Sequence, residues 1–367
     1  MLPSSLLHFS SKHKSDDSVS NYSAYVDTIE DTVRALSLLL PGRFEDSDLC
    51  SQAVLTGLNL VSLYHTKFLV RKSNSLRLKQ NEAETETFND RFLQCNDSNW
   101  ICKSASLVLS VISYSEVVME MLLNKKVAKN LKWKYIATLE GFKGVLRLLL
   151  FYGTEQRMIL HPTHLIRNVD PISLDIAYGE KYELTSIDPR TGTALSSTHD
   201  TSRIGTSQPK NRRGWAHMSE ILWIIRPFVY ALMIFLQQRT ARKHELIRKK
   251  ANGEGSDEEK NTNEEGMEKD DEGFWKPWLV SLAVDMASRI SRHMQTMSPL
   301  EKDESRRRDY LLIYYLLKGP LYLKFTRNIL DAFCNATEHR PLISIVTAAI
   351  NDYRPFWEDS YFYTSGS

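Results

Sequence analysis

The chain has 367 residues, 42% of them hydrophobic, 10% aromatic and 25% charged, with 47 Lys+Arg against 45 Asp+Glu. That apolar share excludes wholesale disorder, because enough surface can be buried to offset the entropy of ordering, and a net charge of +2 speaks against a nucleic-acid partner. A mean hydropathy of −0.35 is low for a polytopic membrane protein, yet an average over polar loops can hide short membrane-seeking segments.

Residues 1–20 are rich in Ser and Lys without an apolar period and read as a mobile tail. From Tyr22, Val26, Ile29, Val33, Leu36 and Leu40 recur at helical spacing until Pro41-Gly42. A second helix is expected over about 46–72; its uncharged run from Leu49 to Thr66 is broken by Ser51, Gln52, Thr56 and Asn59, which fits a packed amphipathic helix better than a membrane span. Helical pattern returns through 88–123 and again over 131–152, so 21–152 forms an N-terminal helical region ending in a first membrane-active segment, 133–152. Residues 153–216 form a polar loop, with eleven Ser or Thr between Thr185 and Ser207. A hydrophobic helix with a basic flank follows over 217–250, then an acidic, disordered insertion over 251–273 with ten Asp or Glu from Glu254 to Glu272. The C-terminal region, 274–367, is again helical. Ser298-Pro299-Leu300-Glu301 is a capping box, Gly319-Pro320 ends that helix, and further helices are expected over 322–336 and 341–350. Period-two alternation is almost absent, so the fold class is all-α.

Chemistry-bearing patterns are near misses. Gly253-Glu254-Gly255 lacks the third glycine of a dinucleotide loop, and His244-Glu245 meets Arg248 where a zinc helix needs its second His. His161 and His164 flank Pro162 and read as turn residues. Cys50, Cys95, Cys102 and Cys334 are too few to staple the chain and show no zinc spacing. No catalytic, cofactor or metal site is expected, and the sequons at Asn21, Asn96 and Asn335 are short enough to arise by chance.

Two segments repay membrane arithmetic. In Trp133–Tyr152, Glu140, Lys143 and Arg147 each cost roughly 2.5 to 3.5 kcal/mol at a span centre, against about 0.3 to 0.6 gained per aliphatic or Phe residue. As an isolated span it fails; lying in the interface, with Lys and Arg reaching to head groups, it is comfortable. The second segment holds Ile221, Leu222, Ile225, Leu232 and Phe235, interrupted only by Arg226 and Pro227. Roughly 5 kcal/mol of favourable insertion stands there against about 3 for the arginine, which makes a marginal span. Arg239, Arg242, Lys243 and Arg248–Lys250 follow it, and Lys125, Lys126, Lys129 and Lys132 precede the first segment. Both basic flanks belong in the cytosol, with the termini, and the polar loop on the other side. The architecture is therefore a membrane-associated helical bundle with one or two marginal hydrophobic spans and disordered insertions. The competing reading makes both segments core helices of a soluble or peripheral α-helical scaffold.

The order of motifs resembles the peroxin sixteen family of peroxisomal membrane biogenesis proteins. The motifs are Gly42-Arg43-Phe44-Glu45-Asp46-Ser47, Glu116-Val117-Val118-Met119-Glu120-Met121, Lys143-Gly144-Val145-Leu146-Arg147-Leu148 and Ile225-Arg226-Pro227. They continue with Trp275-Lys276-Pro277-Trp278, Leu282 and Asp285, then Pro299 to Arg308, Tyr314-Tyr315, Gly319-Pro320 and the end Tyr361–Ser367. The resemblance implies a non-enzymatic factor of the peroxisomal membrane, and partly of the endoplasmic reticulum. It would act in the lipid bilayer as a docking platform for peroxin three and for membrane-protein cargo carried by peroxin nineteen. The family's targeting patch maps onto Lys67, Arg71, Lys72, Arg77 and Lys79, which otherwise read as a solvated helix end. Arg306, Arg307 and Arg308 read as a solvated face or as a surface for a cytosolic partner or anionic lipid.

Overall fold

A computed structural model describes residues 25–37, 46–80, 99–161, 214–251, 262–337 and parts of 343–362, apart from a few single positions. The expected tail, most of the polar loop and residues 252–261 of the acidic insertion lie outside the described residues. Those described are helical, with no strand among them. The helices are α1 (25–37), α2 (Ser47–Gln80), α3 (Trp100–Lys126), α4 (Lys129–Gly153), α5 (Trp215–Ala251), α6 (Thr262–His293) and α7 (Pro299–Leu316). A π-helical turn over Tyr322–Thr326 runs straight into α8 (Arg327–Thr337).

The chain divides into two compact units. The first holds α1, α2 and α3 as far as Ser115. Its buried side chains include many small or hydroxylic ones, Ser37, Ser47, Ser51, Thr66, Cys102, Ala105, Ser106 and Ser110, beside Leu63, Leu109, Glu30 and His65. The Ser51 hydroxyl donates to the Ser37 carbonyl at 2.7 Å and that of Thr56 to the Tyr114 carbonyl at 2.9 Å, tying α2 to α1 and to α3.

The second unit is a bundle of α4 to α8 with the end of α3. Packing of α4 on α5 is antiparallel, since Gly141 meets Phe228, Arg147 meets Trp223 and Phe151 meets His217. A Cβ at Gly141 would lie 3.1 Å from the Phe228 ring, so glycine sets the closeness of that crossing. Helix α6 runs antiparallel along α5, where the hydroxyls of Ser219 and Ser288 each donate to the other's carbonyl, at 3.0 and 2.9 Å. Pro227 and Pro277 sit inside α5 and α6. Each removes one backbone donor, at about 3 kcal/mol in an isolated helix; burial of Trp223, Ile224, Tyr230, Ala231 and Ile234 around Pro227 offsets the loss. Gly319 adopts φ 72°, the left-handed turn that stops the chain after α7 as expected.

Two sequence expectations change. Helix α6 starts at Thr262, so 262–273 is helical rather than part of a disordered insertion. Net charge made this stretch look like a loop, but Glu, Met and Lys are good helix formers and acidic residues suit a helix's first turns. The first helix long and apolar enough to cross a membrane is α3, with Trp215–His244 of α5 the second. The 133–152 stretch of α4 does not meet that test, because its ionisable residues are denser.

Candidate functional site

In the second unit the usual order of a soluble bundle is reversed. Along α4 the buried face includes Glu140, Lys143 and Arg147, while Leu131, Phe142, Val145, Leu149 and Tyr152 are exposed. On α6, Asp285, Arg289 and Arg292 are buried while Leu279, Val280 and Ile290 face outward; on α7, Glu301, Glu304 and Arg308 are buried while Tyr310, Ile313 and Tyr314 face outward. Contiguous exposed apolar faces of this kind mark contact with a membrane or a partner, and charges turned to the bundle interior are how ionisable residues survive in lipid.

Many of the interior charges fall into paired groups. Lys143 Nζ lies 2.8 Å from Glu116 Oε2 and 3.1 Å from Glu140 Oε1, bridging α3 and α4. Arg226 on α5 donates to Asp285 on α6 at 3.2 Å; Arg289 also bonds Asp285, at 2.9 Å, and reaches Asp309 and the Arg308 carbonyl on α7. Arg308 is fully enclosed. It makes a bidentate pair with Glu220 at 2.8 and 3.2 Å, bonds Glu304 at 3.1 Å and donates to the Ile159 carbonyl at 2.9 Å. Its guanidinium also lies 3.8 Å over the Trp223 ring, with Arg147 against the same ring at 5.4 Å.

Tyr361 and Phe362 are part of this interior. Backbone N–H groups of Tyr361 and Phe362 donate to the two carboxylate oxygens of Glu120 at 2.6 and 2.7 Å, and Lys132 pairs with the same carboxylate at 2.9 Å. Tyr361 stacks on Tyr230, and Lys143 sits 5.2 Å from the Phe362 ring centre. Trp278 stacks on Tyr315, whose hydroxyl donates to the Trp278 carbonyl at 2.8 Å. Tyr361 and Phe362 are therefore core.

The residues singled out from sequence fall in different places. In α5, Ile221, Leu222, Ile225, Leu232 and Phe235 are half-buried and Arg226 and Pro227 are buried, so this helix presents both a packed and an open face. The arginine that costs α5 its hydropathy is neutralised by Asp285 within the bundle. In α4, Lys143 and Arg147 are buried rather than reaching to head groups, because Glu116, Glu140 and Trp223 receive them. Of the three consecutive arginines, Arg306 is on the surface, Arg307 is half-buried against Glu304, and Arg308 is inside the bundle and cannot serve as a surface contact. On α2, Lys67 is half-buried and Arg71 exposed; Lys72, Arg77 and Lys79 lie in the same helix, their side chains outside the described residues. Burial, with the positive charges of Arg71 and Lys103, holds the Lys67 ammonium below its usual pKa, so the basic cluster extends to Lys103. Sequence reasoning missed Lys103 and the whole ionic interior. The available signal was the helical spacing of 116/120, 140/143/147, 285/289/292 and 301/304/308 inside otherwise apolar helices. Among the described residues, no group of three or more His, Cys, Asp or Glu is arranged to hold a metal.

Comparison with known proteins agrees with this membrane-type construction. Residues 16–359 match the family model described as "Peroxisomal membrane protein (Pex16)". The chain is 23% identical to the peroxisome biogenesis protein 16 of Arabidopsis thaliana over 94% of its own length and 96% of the relative's. It is 30% identical to the peroxisome biogenesis factor 16 of Dictyostelium discoideum over 25% of each chain. No solved structure matches. An all-helical chain with charges inside and apolar faces outside, matched over nearly its whole length, belongs to the Pex16 family of peroxisomal membrane proteins, with a role in peroxisome biogenesis.

Proposed function

We propose that the second unit sits in the peroxisomal membrane as a bundle with its apolar outer faces in lipid, and that the protein serves there as a docking platform for the assembly of that membrane. The observation that carries this reading is the inversion of α4, α6 and α7, each with charges inside, most of them paired, and Leu, Val, Ile, Phe or Tyr outside. Pairing removes the objection raised by hydropathy alone. In isolation Glu140, Lys143 and Arg147 make α4 too costly to insert, but inside the bundle Glu116, Glu140 and Trp223 already satisfy the two cations. The lysines between α3 and α4 and the basic end of α5 then lie on the cytosolic side.

On this reading the partners are peroxin three and cargo brought by peroxin nineteen, as the family resemblance implies, with the endoplasmic reticulum as a second residence. The basic surface around half-buried Lys67 and exposed Arg71 and Lys103, with Arg306, the outward one of the three consecutive arginines, is where targeting or docking contacts belong. Alkaline carbonate extraction of organelles tests the membrane half, with the protein expected in the pellet; complete release would favour a peripheral scaffold instead. Labelling of single introduced cysteines should place Lys126 and Ala251 on the cytosolic side. Deletion should remove peroxisomal membranes competent for import, and co-purification with peroxin three should weaken when Lys67, Arg71 and Lys103 are reversed to Glu.

A further inference from the structure

Arg292, in the last turn of α6, is fully enclosed, yet none of its three guanidinium nitrogens has a hydrogen-bond partner. Its neighbours behave otherwise. Arg226, Arg289, Arg307 and Arg308 each meet a carboxylate directly. The charges acting on Arg292 are those of Arg308 and Arg289, which repel it, and Glu220 and Asp309, which attract it while already bonded to other arginines. A guanidinium cannot shed its proton to escape burial, and a buried cation without a hydrogen-bonding counter-charge is strongly disfavoured. The five N–H donors of Arg292 are therefore unspent beside arginines that each meet a carboxylate.

We propose that Arg292 anchors an anion site at this end of the bundle, suited to a phosphate group, whether free or carried on a lipid head group. Several oxygens around one phosphorus match the planar fork of a guanidinium, and the positive charges of Arg289 and Arg308 nearby add attraction without competing for the same donors. His293 and Met294, immediately after Arg292, are exposed, which keeps the path from the surface short.

The test uses the full chain purified in neutral detergent, titrated calorimetrically with inorganic phosphate and, separately, with dioctanoyl phosphatidic acid, with dioctanoyl phosphatidylcholine for comparison. The wild type should bind at least one of the first two; binding of phosphate alone assigns a small-anion site, and preference for phosphatidic acid assigns a lipid head group. Arg292→Gln should weaken that binding at least tenfold, and Arg292→Lys should weaken it less, because the charge stays while the fork is lost. In anion-free buffer Arg292→Gln should melt at or above the wild-type temperature, since an unpaired buried charge has been removed. Phosphate should raise the wild-type midpoint by more than it raises that of Arg292→Gln, which sets aside the general salt effect shared by both. No binding of either probe, equal binding by wild type and Arg292→Gln, or a large fall in the anion-free melting temperature of that variant would each overturn the proposal.

Discussion

The two units handle polar groups inside apolar helices in opposite ways. In the first, buried polarity is mostly hydroxyl: Thr66 and Ser110 donate to carbonyls four residues back in their own helix, at 2.8 Å each, while Ser51 and Thr56 reach another element. In the second, buried hydroxyls such as Ser219 and Ser288 are joined by full charges, and many of these have partners far along the chain, 27 residues apart for Lys143 and Glu116, 59 for Arg226 and Asp285, and 88 for Arg308 and Glu220. A hydroxyl satisfied by its own helix says nothing about which helix lies beside it. A buried charge does, because a register shift would leave it unpaired at high cost. The hydroxyls allow helices to approach; the charges fix which helices meet and at what level.

Breaking the charge lattice at its most connected point should produce the largest effect. Arg308 touches Glu220 on α5, Glu304 on its own helix and the Ile159 carbonyl after α4. Arg308→Leu takes from buried Glu220 the guanidinium that pairs with it and leaves Glu304 with Arg307, and should cost about 3 to 5 kcal/mol, read as a fall in the thermal midpoint of the detergent-solubilised protein. A double-mutant cycle with Glu220→Leu sharpens the point: the pair should recover part of the loss, because both charges leave together.

Next in size is the anchor of the C-terminal residues. Glu120→Gln keeps the shape but replaces a carboxylate that accepts from two backbone N–H groups and pairs with Lys132. Hydrogen bonds to a charged acceptor are worth about 1.5 to 3 kcal/mol, so the variant should lose about that much, with the chain around Tyr361 cut earlier in limited proteolysis. If the end stays protected, the aromatic stacking of Tyr361 on Tyr230 holds it and the carboxylate does not.

How much of this was legible in the sequence follows from the same distinction. Helix limits were, because caps and stops are local: Pro299 opens α7, Gly319 closes it with a positive φ, and the predicted 131–152 and 217–250 helices appear as α4 and α5. The orientation of the charges was not. Insertion arithmetic treats each helix alone and scores Lys143 and Arg226 as penalties, whereas their partners Glu116 and Asp285 lie on other elements and cancel them. The motifs that carried the family resemblance prove to contain much of the lattice, including Glu116, Glu120, Lys143, Arg147, Arg226, Asp285, Glu304 and Arg308. Within Arg306–Arg308, three identical letters take three different environments, a separation set by the 100° step of the helix and invisible to composition.

In the first unit the corresponding change should be smaller. Ser51→Ala removes one buried hydrogen bond to the Ser37 carbonyl and should cost about 1 kcal/mol, without altering extraction from membranes or protection of the C-terminal residues. A global loss comparable to that of Arg308→Leu would erase the distinction between the two units.

The gentlest probe is pH. His65, buried on α2, has its pKa lowered by desolvation, with the charge of Glu30 opposing the shift. The folded state thus binds the proton less readily than the unfolded chain, whose imidazole titrates near about 6.5. Stability from this group is fully present above that value and falls as pH drops through it toward the lower folded pKa, because protonation then favours the unfolded chain. Hydrogen exchange of α2 amides should accordingly quicken between about pH 7 and pH 5.5 relative to the intrinsic rate, and His65→Gln should flatten that dependence. Amides of α5 and α6 are the comparison, and His65→Gln should leave their pH dependence unchanged. A change in both units on that substitution would mean that protonation of His65 is felt throughout the fold rather than in the first unit alone.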